Sequence, residues 1–132
     1  MPRPPSTACP CDLARPYLQC CGRYHDGGPL AGQAPDAAAL MRSRYAAYVL
    51  ELEPYLLATW HASTRPTQIG PGPARWLGLE VRRHDQQDEA HATVDFVARH
   101  RDAQGRGARM QERSRFVREH GRWYYVDGDV EG

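Results

Sequence analysis

The chain has 132 residues and a formal net charge of +1, from 17 basic against 16 acidic side chains. That is the length of one ordinary domain, or of a domain of about 100 residues carrying a small metal-stapled appendage. The near-neutral balance argues against bulk electrostatic binding of nucleic acid or anionic membrane, and no apolar run reaches the ~20 residues that cross a bilayer.

All four cysteines fall within the first 21 residues, as Cys9-Pro10-Cys11, eight further residues, then Cys20-Cys21. Two close thiol pairs joined by a short loop can converge on one tetrahedral metal, and soft thiolates favour zinc. Two disulfides or four reduced thiols are the alternatives. Met1 to Ala8 carries prolines and an arginine but no apolar run, so no secretory leader is expected. A cytoplasmic location follows, where paired cysteines hold metal more often than they form disulfides. His25 is a reserve ligand, for which four adequate thiolates leave a supporting or solvated role. Arg15, Tyr17, Arg23 and Tyr24 are cationic and aromatic groups of the kind that anchor a protein interface, so a protein partner is expected at this motif.

Gly27 to Pro35 is loop by composition and separates this motif, residues 1–30, from the rest, residues 31–132. Asp36 offers an N-cap to an amphipathic helix over about 36–51, whose stripe is Leu40, Met41, Tyr45, Tyr48, Val49 and Leu52. Pro54 suits the first turn of a second helix carrying Tyr55, Leu56, Leu57 and Trp60 and ending near His61. Ser63 to Arg75 is irregular. From Trp76 the period changes to two: Leu77, Leu79 and Val81; Ala92, Val94, Phe96 and Ala98; Met110, Glu112, Ser114 and Phe116; then Trp123 to Val126. Helices followed by a meander of four strands predict an α+β fold, a curved antiparallel sheet packed on helices.

Two charges stand where the periodicities predict interior. Arg44 lies within the first helix's apolar stripe, and Glu112 shares a strand face with Met110 and Phe116. An unpaired buried charge is expensive, so the two are expected to face each other or to share water in a cavity. A structural ion pair and an anionic-ligand pocket, with Arg44 binding and Glu112 as acid or base, are the competing roles. His61, at a helix end, can cap the last carbonyls or reach such a pocket, and Tyr45 and Ser114 are further pocket candidates. Between Arg99 and Arg122 arginines outnumber acids, but without interleaved aromatics on the same face a nucleic-acid surface is not indicated.

The cysteine segment resembles the SEC-C motif, a small zinc-binding element best known from the C-terminal tail of the bacterial preprotein translocase ATPase. The likeness rests on Cys-x-Cys, eight residues and Cys-Cys, with Pro10, Arg15 and Tyr17 between. It implies Cys9, Cys11, Cys20 and Cys21 as zinc ligands. Asp12-Leu13-Ala14-Arg15 replaces the motif's usual Gly-Ser-Gly-Lys and so departs from its basic loop. The blocks Leu40 to Tyr45, Thr59-Trp60-His61, Trp76 to Leu79, Glu112 to Phe116 and Gly121 to Gly128 resemble the YchJ family, UPF0225, over nearly the whole chain. That resemblance implies a nuclear-transport-factor-2-like central domain, a cone of sheet around helices. Some members carry a second SEC-C copy, whereas this sequence stops at Gly132 without one. Two functions are expected from it: a binding or adaptor module working through the zinc motif, or a small isomerase- or hydrolase-type enzyme using a cone pocket with Arg44 and Glu112. Filling of the cone by side chains, leaving a dimerisation platform, is a third.

Overall fold

A computed structural model of the chain describes residues 8–11, 15–25, 28, 30–70, 72–73 and 75–131, the side chain of Glu131 excepted. Asp12-Leu13-Ala14 of the cysteine loop, most of Met1 to Ala8, and Gly27, Pro29, Pro71 and Ala74 of the irregular stretches lie outside those residues.

The cysteine segment folds as two short 3₁₀ turns, Tyr17–Gln19 and Cys21–Arg23. Its base is closed by a bridge between Ala8 and Pro16, with the Cys9 N–H donating to the Arg15 carbonyl at 2.8 Å. Helix α1 (Ala37–Val49) starts where its sequence signal lies. Asp36 is extended, and its carboxylate accepts the Ala39 N–H at 2.7 Å, satisfying one open donor of the first turn. The helix stops short of residue 51 because Glu51 turns left-handed, with φ 58°. The N–H groups of Glu51 and Leu52 then fold back onto the carbonyls of Tyr48 and Ala47, at 3.3 and 2.8 Å. This is a Schellman closure with glutamate in the glycine position, at a cost of about 1 kcal/mol.

Strands β1 (Arg75–Gln86), β2 (His91–Arg101), β3 (Gly107–Glu119) and β4 (Arg122–Glu131) form one antiparallel sheet in the order β1-β2-β3-β4, the expected meander. The β3–β4 turn is a two-residue hairpin in which His120 and Gly121 both have positive φ, 53° and 77°, matching the twist of the strands. Between β2 and β3 the register pairs Ala92 with Phe116, Val94 with Ser114, Phe96 with Glu112 and Ala98 with Met110. Their common inner face is the one the alternation predicts.

β1 keeps Leu79 and Val81 on the predicted face but departs from the prediction at its start. A bulge between Trp76 and Gly78 shifts its phase by one residue, so Trp76 and Leu79 turn to the core and Leu77 stays 44% exposed. A second bulge follows between Val81 and Arg83, and in β4 Val126 is an extra residue opposite Arg115 and Phe116. Bulges raise local twist, and these curl the sheet around α1.

Helix α2 (Glu53–Ala58) carries Pro54 in its first turn, as expected, but ends before His61. The reason is tertiary: the backbone after it joins the edge of β4. Trp60 forms a parallel bridge with Tyr125, the Tyr125 N–H donates to Thr59 at 2.8 Å, and the His61 N–H donates to Tyr125 at 2.7 Å.

α1 is not the one-sided amphipathic helix of the sequence reading. Ala37, Leu40, Met41, Ser43, Arg44, Tyr45, Ala46 and Ala47 are all buried, because the cysteine segment covers one side and the sheet another. Buried side chains from Cys9 to Trp123 form one cluster. On the outer sheet face Arg113 pairs with Asp95 at 2.8 Å, Arg115 with Asp127 and Asp129, and Arg99 with Glu80 at 3.8 Å. Among the described residues no helix is long and apolar enough to cross a membrane.

Candidate functional site

The four cysteines converge. Their sulfurs lie within 4.8 Å of one another, with Cys11 and Cys20 3.5 Å apart; all four are buried, and none is bonded to another. The two 3₁₀ turns bring the pairs together, and Gly22 makes this possible. A Cβ there would stand 2.8 Å from the Tyr17 carbonyl and 2.9 Å from its ring. Tetrahedral thiolates at about 2.3 Å from a metal sit about 3.8 Å from each other, so the donor set fits such an ion.

Electrostatics agree. Hydrogen bonds from Cys11 and Cys21 draw Cys9 down to about 4, while its own contacts with Cys11 and Cys9, together with burial, push Cys21 far up. Four thiolates this close cannot all ionise without a cation between them. Arg42 Nη1 donates to the Cys11 carbonyl at 3.0 Å, and Arg23 Nε donates to that of Cys20 at 2.9 Å, placing positive charge beside the cluster.

His25 is neither among the converging ligands nor solvated; it is 2% exposed and joins the motif to the helices. Its Nε2 donates to the Ser43 carbonyl at 2.8 Å, and its Nδ1 is hydrogen-bonded to the Tyr17 hydroxyl. Ser43 Oγ donates to the Leu40 carbonyl at 2.7 Å and lies 2.6 Å from the Tyr55 hydroxyl, which must then donate to it. Tyr55 also meets the His25 ring edge-on, centroids 4.7 Å apart. Of the residues expected at an interface, Tyr24 is buried and Tyr17 and Arg23 are half-buried in this packing, whereas Arg15 is exposed; Leu18, which is not among them, is 50% exposed.

The cone is open. A cavity of about 490 Å³ lies between α1 and the inner sheet face, within the usual range for small-molecule sites. Met41, Arg44, Tyr45 and Tyr48, one stripe of α1, form one wall, and Phe96, Met110, Glu112, Ser114 and Phe116 form the other. Arg44 and Glu112 both line the cavity, but no ion pair joins them. Arg44 Nη1 donates to the Leu56 carbonyl at 2.8 Å and to Thr59 Oγ1 at 2.7 Å. The guanidinium lies over the Tyr125 and Trp60 rings, 4.7 and 5.2 Å from their centroids. Burial lowers its pKa, yet an arginine stays charged.

Glu112 is half-buried and takes the Ser114 hydroxyl, its carboxylate filling the space over Gly128, where a Cβ would stand 2.5 Å from Oε2. Burial first, then the Glu112 charge, push the Tyr125 phenol well above its ordinary value, so it stays neutral. Tyr45 is buried, edge-on to Trp76 at 5.4 Å.

His61 lies outside the cavity and caps no helix. Its Nε2 pairs with Glu119 at 2.9 Å and its Nδ1 with Ser63 Oγ at 2.7 Å, because the Thr59–His61 backbone is held along β4. Sequence reasoning missed Trp60, Tyr125 and Thr59 around Arg44. Only the long-range pairing of residue 60 with residue 125 assembles them, and no local period carries that signal.

Known proteins resemble this chain throughout. A family model described as "YchJ, middle NTF2-like domain" matches residues 36–128. A UPF0225 protein of Bordetella parapertussis is 57% identical, covering 98% of this chain and 99% of its own length. One from Polaromonas sp. is 56% identical, with 96% of this chain and 95% of its own covered. The solution structure of a SEC-C motif containing protein from Rhodopseudomonas palustris is similar at a TM-score of 0.81 and 30% identity, covering 96% of this chain and 100% of that one.

Proposed function

Because this chain belongs to the YchJ family of UPF0225 proteins and carries a four-cysteine cluster able to hold a metal ion, we propose that it is a zinc-stabilised small-molecule binding module. Cys9, Cys11, Cys20 and Cys21 would hold one zinc as thiolates in a reducing cytoplasm. Four thiolates saturate zinc and offer no activated water, so the ion shapes the motif of residues 1–30, and binding belongs to the cone of residues 31–132. The observation that carries this reading is the open cavity with Arg44, Glu112, Ser114 and Tyr45 on its walls.

Two other readings each rest on one observation. Leu18, half exposed beside the exposed Arg15, supports an adaptor that docks a protein through the zinc motif. Glu112 on the cavity wall supports a small isomerase- or hydrolase-type enzyme with that carboxylate as acid or base. Native mass spectrometry of the protein purified without chelator from its own cytosol separates them. One zinc and one small molecule per chain are expected. Zinc with a stoichiometric protein partner and an empty cone would replace this reading with the adaptor. A ligand recovered in chemically altered form after incubation would replace it with the enzyme.

A further inference from the structure

Arg44 is 4% exposed, yet no carboxylate of the described residues lies within ion-pair distance of it. Both of its hydrogen bonds leave from Nη1 and end on neutral oxygens. Nε and Nη2 have no acceptor among the described residues, but they are not sealed in protein. Among those residues the only fully buried polar side-chain atom without a partner is His100 Nδ1. The remaining donors of the guanidinium therefore open on the cavity that Arg44 lines. A buried cation lacking a counter-ion is costly, and its planar fork matches a carboxylate.

Glu112 does not neutralise it. That carboxylate is engaged by Ser114 across the cavity and lies against Gly128, and its attraction for Arg44 is weak beside the penalty of burial. The cavity that Arg44 lines has a largely apolar and aromatic wall, with Met41, Ile69, Trp76, Phe96, Met110 and Phe116 in it.

Building on the cone as a binding cavity, we propose that its ligand is a small amphipathic carboxylate, with the anionic head on Arg44 and an apolar or aromatic body against Trp76, Phe96 and Phe116. The head supplies the missing counter-ion and the body displaces cavity water. Glu112, across the cavity, disfavours a second negative charge and so selects a monoanion.

The test uses the zinc-loaded full chain, titrated by heteronuclear NMR with three probes that share one body: 3-phenylpropionate, 3-phenylpropionamide and 3-phenylpropylamine. The carboxylate should bind at least about tenfold tighter than its uncharged isostere, and the amine more weakly than either. The indole signals of Trp60 and Trp76 should shift on binding. In Arg44→Met the carboxylate and the amide should come within about threefold of each other. Equal affinity of the two in the native chain would overturn the assignment of a carboxylate while leaving the binding cavity standing. No binding of any probe would overturn both. If Arg44→Met does not fold, the ratio in the native chain decides the matter unaided.

Discussion

The cysteine motif and the cone cavity are both built around buried polar groups, and they handle them in opposite ways. At the motif the sulfurs converge on one point that fits a metal ion, and the polar side chains around them are matched inside the chain. The sulfurs face one another, His25 spends both ring nitrogens on Tyr17 and Ser43, and Ser43 is shared with Tyr55. At the cavity Arg44 keeps donors in hand, and Glu112 is held apart from it. A saturated polar network rigidifies, whereas an unsatisfied one beside open space is matched by something the chain does not contain. On the proposed function, the motif is the structural centre of the two and the cavity the place of recognition.

The strongest way to break this contrast is through the metal. Cys11→Ser, or removal of the proposed zinc by chelation, should cost at least ~3 kcal/mol and lower the melting temperature by roughly 10 °C. Hydrogen exchange should show protection lost in the motif and the start of α1, because the Cys11 carbonyl holds Arg42 and His25 holds Ser43, while β2 and β3 keep theirs. Loss confined to residues before 30, with α1 unaffected, would make the motif an appendage and not a staple.

Next in size, His25→Phe keeps a ring against Tyr55 but strands the Tyr17 hydroxyl and the Ser43 carbonyl. Destabilisation of about 2–3 kcal/mol in urea is expected, with zinc content unchanged. Loss of metal in this variant would mean that the histidine takes part in ligation.

Arg44→Met should behave in the opposite sense to a mutation in the motif. Removing an uncompensated buried cation in favour of an apolar side chain of similar length should change stability by less than about 1 kcal/mol, or raise it. A loss near that of His25→Phe would show that Leu56, Thr59 and the two rings already neutralise the charge.

The smallest effect belongs to the outer face, which serves as the reference for both regions. Arg113 holds the Asp95 carboxyl below its usual range. The pair's contribution is present above the unfolded aspartate value of about 3.9 and disappears as pH falls through the lower folded one. Both partners are partly solvated, so Asp95→Asn should cost under about 0.5 kcal/mol at pH 7. Its melting difference from the native chain should vanish once the pH falls below that lowered folded value.

What the sequence determined unaided is whatever one short stretch of chain can encode. The spacing of Cys9, Cys11, Cys20 and Cys21 sets a donor set that a tight loop brings together. The Asp36 cap, the alternation of Ala92 to Ala98 and Met110 to Phe116, and the turn at His120-Gly121 are likewise local, and each matches the fold. Placing Arg44 and Glu112 on the interior side also follows from period alone. Tertiary structure decided the rest. A left-handed Glu51 ends α1, a bulge at Leu77 turns that residue out of the core while Leu79 and Val81 keep the predicted face, and burial of α1 on two sides removes its amphipathic signature. The partners of Arg44 come from Leu56, Thr59, Trp60 and Tyr125, drawn together by backbone pairing across 65 residues between Trp60 and Tyr125. Periodicity reports which way a side chain points from its own element; what it meets there depends on elements distant in sequence, whose approach is settled by packing and by backbone hydrogen bonds that every residue type can make.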